Sequence, residues 1–175
     1  QRANIALETL HFDGKLDPEG GPAIERLTYQ WQPATSGTWF YQSHTGRPLD
    51  FEMGLYGVTV VDPVTPAGEP RRAYAGGPQY DVERFLVFDD VDPAWHDHDF
   101  TAAVEPGRFQ TFNPRYFLIN DIPNTEVAHH PDVAITACRG QSVLLRLMNA
   151  SYSVVTVAIS KLNSHVVCID GHPVA

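Results

Sequence analysis

Two of the eight histidines lie in segments whose spacing suits metal binding. His11 lies in LHFDG with Asp13 two positions later, and His44 ends GTWFYQSH with Gln42 two positions earlier. Residues two apart on a β-strand point to the same face, so each pair could reach one cavity. Imidazole is a good copper ligand, whereas carboxylate and amide oxygens suit a redox copper poorly. A His-x-His pair on a strand makes a good metal chelate, and His-x-Asp and Gln-x-His are weaker versions of it, so both segments are candidates for metal binding.

The remaining histidines give weaker signals. The run HDHD at residues 96–99 is acidic as well as histidine-rich, and His129 and His130 precede a proline in a predicted loop. The segment CIDGH places Cys168 and His172 at the short spacing of a blue-copper loop. Cys168 also falls in an alternating strand pattern, where a small buried residue is expected. We expect these segments to be structural, and we find no phosphate loop, nucleophile elbow or HExxH motif.

Composition limits the classes of partner. The chain has 175 residues, enough for one or two domains, and 43% of them are hydrophobic, which is enough to form packed cores. The net charge of −9 argues against nucleic acid, because a nucleic-acid-binding protein needs a basic face. No run approaches the roughly 20 apolar residues that a membrane span needs. We therefore predict no nucleic acid partner and no membrane span.

The hydrophobic pattern predicts β-strands. Apolar residues alternate with polar ones at 27–31, 133–137, 143–147 and 155–159, which is typical of half-buried strands. The denser runs GLYGVTVVD and VERFLVFDD are consistent with strands buried on both faces. Helical periodicity is not evident, and prolines and glycines punctuate the chain as turns require. The pattern predicts an all-β sandwich.

A Pro- and Gly-rich segment divides the chain into two strand-rich blocks. We predict a first block at residues 1–64, a linker at 65–78 and a second block at 79–175. The segment from 89 to 114 has few strand signals and is interpreted as a surface excursion of the second block. The first block is short for a closed sandwich of about 100 residues. We expect missing strands to come from a longer protein or from another chain.

Six segments, in order, resemble the multicopper oxidases, which are built from cupredoxin domains. LHFDG resembles the first copper motif, Ile-His-Trp-His-Gly, and GTWFYQSH resembles the second. FEMGLYGVTVVD resembles the strand that closes the first domain. NPRYFLIND, GQSVLLRLMNAS and HVVCIDGHPV resemble segments of the second domain. The resemblance implies a cupredoxin-like Greek-key β-sandwich, with the C-terminal part of a first domain at 1–64 and the N-terminal part of a second at 79–175.

The resemblance also implies a function. Multicopper oxidases pass electrons from a substrate through a mononuclear copper to a trinuclear copper cluster, where dioxygen becomes water. The implied cofactor is copper, and the implied location is secreted or periplasmic. The implied partners are the remaining domains of a larger oxidase or further copies of the chain.

The chain departs from the family at several ligand positions. His11 and His44 match motif histidines, whereas Asp13 and Gln42 stand where the motifs have histidine. Asp50 stands where some bacterial relatives have a further histidine. No complete copper site can be built from this chain, so we assign it no catalytic residue and expect no turnover from it alone. Two hypotheses remain: part of a copper-dependent oxidase, or a non-catalytic cupredoxin-like module for structure or binding.

Two further features yield expectations. Cys138 and Cys168 could form a disulfide, remain thiols or bind metal, and the sequence leaves these alternatives open. In GTWFYQ, Phe40 should point away from the face that carries Trp39 and Tyr41, with one of the two sets in the core.

Overall fold

Most regular structure in the chain is β-strand. The computed structural model describes residues 2–3, 8–12, 27–43, 47–97, 107 and 109–174. Within these ranges the elements are β1 (Arg2–Ala3), β2 (Glu8–Phe12), β3 (Leu27–Trp31), β4 (Gly37–Gln42), α1 (Arg47–Glu52), β5 (Tyr56–Val61), β6 (Val82–Val91), α2 (Pro93–His96), β7 (Tyr116–Ile119), β8 (Ile122–Pro123), β9 (Val143–Asn149), β10 (Cys168–Ile169) and β11 (His172–Pro173). None of the helices in these ranges is long and apolar enough to cross a membrane.

The described residues of the first block form two small sheets. β4 pairs antiparallel with β5 from Gly37 opposite Val61 to Gln42 opposite Tyr56, and β1 runs parallel to β5. β2 and β3 form a separate antiparallel pair. The β-branched residues of β5 pack well on a pleated surface, and Val60 and Val61 are among the most buried residues described.

Phe40 and Trp39 lie on different faces of β4, as predicted, but the prediction that one of the two aromatic sets forms a core is wrong. Phe40 contacts Phe51 and Tyr56, with ring centroids 5.9 and 5.8 Å away. Trp39 instead contacts His172, with ring centroids 6.1 Å apart. All three aromatic side chains of β4 are half-buried, so neither face is a fully buried core.

The second block contains a four-stranded sheet in the order β8-β7-β6-β9. β6 is its longest strand and pairs antiparallel with β7 and parallel with β9. The predicted strands at VERFLVFDD and around 143–147 are therefore confirmed. β6 also carries Asp89, whose carboxylate contacts Tyr56 of the first block.

Two predicted strands are wrong. Residues 131–133 form turns, and 134–138 and 154–160 contain no strand. Ile135, Val157 and Ile159 are each at least 40% exposed. An alternating sequence yields a strand only where a neighbouring strand accepts its backbone hydrogen bonds, and these segments have no such neighbour among the described residues.

The two helices give no periodic signal in the sequence because they are short. α1 has six residues and α2 has four. Asp92 caps α2 by accepting a hydrogen bond from the Ala94 amide at 2.9 Å, and Pro93 occupies the first helical position. The predicted surface excursion at 89–114 therefore starts within β6 and continues into a capped helical turn, and its expected position over the surface is wrong at Trp95, which is buried.

The predicted linker contains no strand but is folded. Arg72 forms an isolated β-bridge with Gln79, and the Ala73 amide donates to the Pro78 carbonyl at 3.0 Å. Ala73 and Tyr80 are buried. The segment is thus a packed turn. Its role as a boundary between two domains stays a prediction.

Both cysteines are free thiols. Cys138 is exposed and Cys168 is half-buried. Burial raises the pKa of Cys168, against a smaller lowering by the positive charge of Arg146. Of the alternatives that the sequence left open, the structure therefore selects thiols over a disulfide.

Gly171 closes the hairpin between β10 and β11. Asp170 and Gly171 have φ angles of 48° and 75°, as a tight Asp-Gly hairpin turn requires. A Cβ on Gly171 would lie 2.6 Å from Cη2 of Trp39. We expect Gly171→Ala to lower the free energy of unfolding by about 2–4 kcal/mol, combining left-handed strain with overpacking.

The matched control for this prediction is Gly140→Ala. Gly140 also has a left-handed φ, 91°, but nothing lies within 4 Å of the added Cβ. Its cost should be the backbone strain alone, about 1–2 kcal/mol. Equal costs in urea unfolding would show that the contact with Trp39 contributes nothing.

Candidate functional site

The second histidine motif lies at the end of β4. Gln42 is the last residue of the strand, is exposed and pairs with Tyr56 across the sheet. Directly opposite residues of an antiparallel pair share a face, so Gln42 and Tyr56 project to the same side of the sheet. His44 lies outside the described residues.

Asp50 is hydrogen-bonded to the residue before His44. The Ser43 hydroxyl donates to Oδ2 of Asp50 at 2.6 Å, and the Ser43 amide donates to the Leu55 carbonyl at 3.0 Å. The Leu55 amide in turn donates to the Asp50 carbonyl at 2.9 Å. Helix α1 thus folds back onto the end of β4, and the carboxylate at the family's histidine position binds Ser43.

The first histidine motif belongs to β2. His11 lies opposite Thr28 of β3, and its side chain and Asp13 lie outside the description. The structure therefore does not test whether His11 and His44 meet. Their assignment as metal ligands stays a prediction.

The described residues do not fit a redox copper site. Within the ranges given above, no three or more His, Cys, Asp or Glu side chains are grouped so as to hold a metal ion. At the motif positions that are described, Gln42 and Asp50 offer only oxygen donors, which suit copper less well than imidazole.

Three of the remaining histidines make contacts within the part of the chain that the structure describes, whereas His98 lies outside it. His96 ends α2, and its Nε2 lies 3.3 Å from Oε1 of Glu52. Nδ1 of His130 accepts the Asp132 amide at 3.3 Å. His172 lies in the short strand β11 and packs on Trp39.

Carboxylates and aromatic rings line the contact between α1–β5 and β6–α2. Glu52 is buried and accepts the Asp92 amide at 2.8 Å, which joins α1 to the start of α2. Asp90 is 1% exposed and accepts the amides of Tyr152 and Ser153 at 2.9 and 3.2 Å. Backbone amides thus satisfy these carboxylates, and nothing in the sequence pattern indicated that they would meet.

Tyr56 and Asp89 form the shortest side-chain link across this contact. The Tyr56 hydroxyl donates to Oδ2 of Asp89 at 2.6 Å. Burial raises the pKa of Tyr56 strongly, and the hydrogen bond to Asp89 and its negative charge raise it further. Burial also raises the pKa of Asp89, and its hydrogen bonds from Tyr56 and the Asp90 amide oppose this only in part. The phenol therefore keeps its proton over the ordinary pH range.

The aromatic rings around Tyr56 form a continuous cluster. Phe51 lies between two tyrosines, with its centroid 5.2 Å from Tyr56 and 5.4 Å from Tyr152. Tyr152 also contacts Trp95 at 5.5 Å and Phe112 at 4.9 Å. This aromatic cluster packs the two blocks together beside the end of β4.

Glu52→Gln is expected to gain stability relative to the wild type as the pH rises. Burial raises the pKa of Glu52, and the Asp92 amide and His96 oppose this only in part. A carboxyl group whose pKa is raised on folding stabilises the folded state while protonated, and this contribution is lost as the pH rises through its folded pKa. Glutamine does not ionise and avoids the loss.

Urea unfolding at several pH values measures this effect. The quantity to follow is the free energy of unfolding of Glu52→Gln minus that of the wild type. This difference should increase as the pH rises above 4.5, the ordinary pKa of glutamate. Exposed Glu126→Gln is the control, and its difference should stay flat. A Glu52→Gln difference that falls over the same range would contradict the stated effect of burial.

Comparisons with known proteins place the fold. No family model matches the sequence, and no curated protein is detectably similar to it. Among solved structures, the copper nitrite reductase from Nitrosomonas europaea is similar with a TM-score of 0.51 and 19% identity, over 83% of this chain and 48% of that one. The laccase from Botrytis aclada has a TM-score of 0.43 and 21% identity, over 74% of this chain and 23% of that one.

The likeness to the nitrite reductase concerns the fold. The chain spans about half the length of that structure. Sequence pattern, sheet order and this likeness agree, and the predicted fold class is confirmed. The chain has an all-β, cupredoxin-like Greek-key β-sandwich fold.

Proposed function

We propose that the chain is part of a copper-dependent oxidoreductase of the multicopper-oxidase type, in which oxidation of a substrate is coupled to reduction of dioxygen to water. The observation that carries this proposal is the position of the second motif at the end of β4 within a cupredoxin-like fold. A solved structure with a similar fold is named a copper nitrite reductase, which supports copper redox chemistry.

On this proposal the chain supplies a scaffold and part of a metal site. His11 and His44 would ligate copper, with Asp13 and Gln42 at the other two motif positions. Residues 1–64 and 79–175 would belong to successive cupredoxin-like domains joined by 65–78. The remaining domains of a larger oxidase, or further copies of the chain, would complete the copper sites, and the protein would act in a secreted or periplasmic setting.

A non-catalytic cupredoxin-like module is the second candidate. It is favoured by the replacement of motif histidines with Gln42 and Asp50, and by the hydrogen bond that engages Asp50 with Ser43. In this case the module has a structural or binding role that does not involve copper.

Copper content after loading separates the two candidates. The chain is incubated with copper, desalted and measured by elemental analysis, with an absorption spectrum of the same sample. His44→Ala tests the ligand directly. His165→Ala is the matched control, because His165 is exposed and lies outside both motifs.

The copper proposal predicts bound copper in the wild type and in His165→Ala, with loss in His44→Ala. The loaded chain alone should show no dioxygen consumption with a phenolic reductant. Copper at background in the wild type would contradict the ligand assignment and favour the non-catalytic module. A blue absorption band from this chain would contradict the structural role given to Cys168.

A further inference from the structure

We propose that Tyr56 and Asp89 form a proton-coupled redox site, in which Tyr56 loses one electron while its phenolic proton passes to Asp89. The geometry required is already present, since the Tyr56 hydroxyl donates to Oδ2 of Asp89 at 2.6 Å. The two residues belong to β5 and β6, which hold donor and acceptor on opposing elements. The inference concerns this chain's own side chains and does not rest on bound copper.

The reaction balances with an outer-sphere one-electron oxidant as the only co-reactant. The O–H bond of Tyr56 breaks, its proton forms a bond to Oδ2 of Asp89, and its electron reduces the oxidant. The products in the protein are a neutral tyrosyl radical and a neutral carboxylic acid. Proton transfer thus prevents formation of a tyrosine cation, which would be costly in a half-buried contact.

The surroundings favour the coupled step over simple deprotonation. Burial raises the pKa of Asp89, which makes its carboxylate a better proton acceptor than an exposed one. Burial and the negative charges of Asp89, Asp121 and Glu52 raise the pKa of Tyr56, so the phenol does not ionise by itself. The negative charges of Asp121 and Glu52 also favour the oxidation, because the Tyr56–Asp89 pair loses one unit of negative charge in the step.

The aromatic cluster provides an electronic path from Tyr56 to solvent. Phe51 bridges the rings of Tyr56 and Tyr152 at centroid distances of 5.2 and 5.4 Å. Tyr152 is 42% exposed and contacts Trp95 at 5.5 Å. An oxidant in solvent can therefore take its electron from the exposed ring of Tyr152, and an electron from Tyr56 then replaces it.

The opposite end of the path lies beside the second histidine motif. Tyr56 pairs directly with Gln42 across β4 and β5 and shares its face of the sheet. The proposed redox site is therefore next to the strand end that carries the motif. If an electron is removed from a group at this strand end, the side chains of the aromatic cluster offer a path by which an electron from the surface can replace it.

Photochemical oxidation of the copper-free protein tests the proposal. The chain is treated with a chelator and oxidised by photogenerated ruthenium(III) tris-bipyridine, and the radical is identified by electron paramagnetic resonance and transient absorption in H₂O and D₂O. The variants are Tyr56→Phe and Asp89→Asn. Tyr116→Phe is the control, because Tyr116 is 56% exposed and lies on β7, outside the aromatic cluster.

We expect a long-lived tyrosyl radical in the wild type and in Tyr116→Phe, and its loss in Tyr56→Phe. Asp89→Asn should form the radical more slowly and lose the solvent isotope effect, because the proton acceptor is gone. An unchanged radical yield in Tyr56→Phe would overturn the proposal, as would an unchanged isotope effect in Asp89→Asn. Circular dichroism checks folding, and the isotope effect in Asp89→Asn decides the matter if Tyr56→Phe does not fold.

Discussion

Arg146→Met is expected to lower the free energy of unfolding by about 3–5 kcal/mol, because it leaves a buried carboxylate without its main positive partner. Nε of Arg146 donates to Oε1 of Glu83 at 2.8 Å, and both side chains are at most 7% exposed. Nη1 also donates to the Thr38 hydroxyl of β4. Once Arg146 is removed, Glu83 still has the cation of Arg71 near it, with Nη1 3.9 Å from Oε2, but Arg71 is largely exposed.

The net contribution of the pair is smaller than this cost. Nη2 of Arg146 is buried and has no hydrogen-bond partner among the described residues. Burying this unsatisfied donor is unfavourable and offsets part of the stabilising free energy of the Arg146–Glu83 pair. Arg146→Met combined with Glu83→Gln should therefore cost less than Arg146→Met alone, since no unpaired charge remains buried. Double-mutant analysis of urea unfolding gives both values.

The control for this prediction is Arg139→Met. Arg139 is exposed, and its replacement should change the free energy of unfolding by no more than about 0.5 kcal/mol. If Arg146→Met were no more destabilising than this control, the link between β4, β6 and β9 would have no energetic role.

Trp95→Ala is expected to cost about 3–5 kcal/mol, the usual range for removal of a large buried aromatic side chain. Trp95 is 4% exposed and contacts Phe109, Phe112 and Tyr152 at centroid distances of 5.0, 5.1 and 5.5 Å. Its indole Nε1 donates to the Thr111 carbonyl at 2.9 Å. Alanine would leave a cavity that the rings of the aromatic cluster fill only in part.

Trp95→Phe and Leu162→Ala bracket this prediction. Phenylalanine keeps much of the apolar contact but loses the indole hydrogen bond, so it should cost clearly less than alanine. Leu162 is 74% exposed, and its removal should cost no more than about 0.5 kcal/mol. A Trp95→Ala variant that unfolds with the midpoint of Leu162→Ala would show that the segment after β6 does not pack as described.

The strands that are predicted correctly from the sequence are those whose side chains pack against other residues and whose backbones pair with a neighbouring strand. The dense apolar runs of β5 and β6 need no particular partner to be recognised, because their composition is itself a β signal. Residues 155–159 carry an equally regular alternation, yet Val157 is 43% exposed and no strand forms there. An alternating pattern indicates that a segment can form a strand. Whether it does depends on a partner strand, which the local sequence does not specify.

The motif positions of the candidate site are identified from the sequence, and their role as metal ligands stays a prediction, whereas their surroundings could not be predicted. The replacement of motif histidines by Gln42 and Asp50 follows from the sequence alone. The bond from Ser43 to Asp50 depends on α1, whose six residues are too few to give a periodic signal. Tyr56 meets Asp89 across 33 positions and Arg146 meets Thr38 across 108, so pattern within a short window cannot reveal either contact.

Restoring the two motif histidines tests the proposed copper positions most directly. The variant that combines Asp13→His with Gln42→His is loaded with copper beside the wild type, and copper per chain is measured by elemental analysis. If these positions are the ligand positions of a copper motif, the restored variant should bind more copper than the wild type, and adding His44→Ala should remove the gain. Equal copper in the restored variant and the wild type, or a gain that survives His44→Ala, would contradict the assignment of a copper motif to β4.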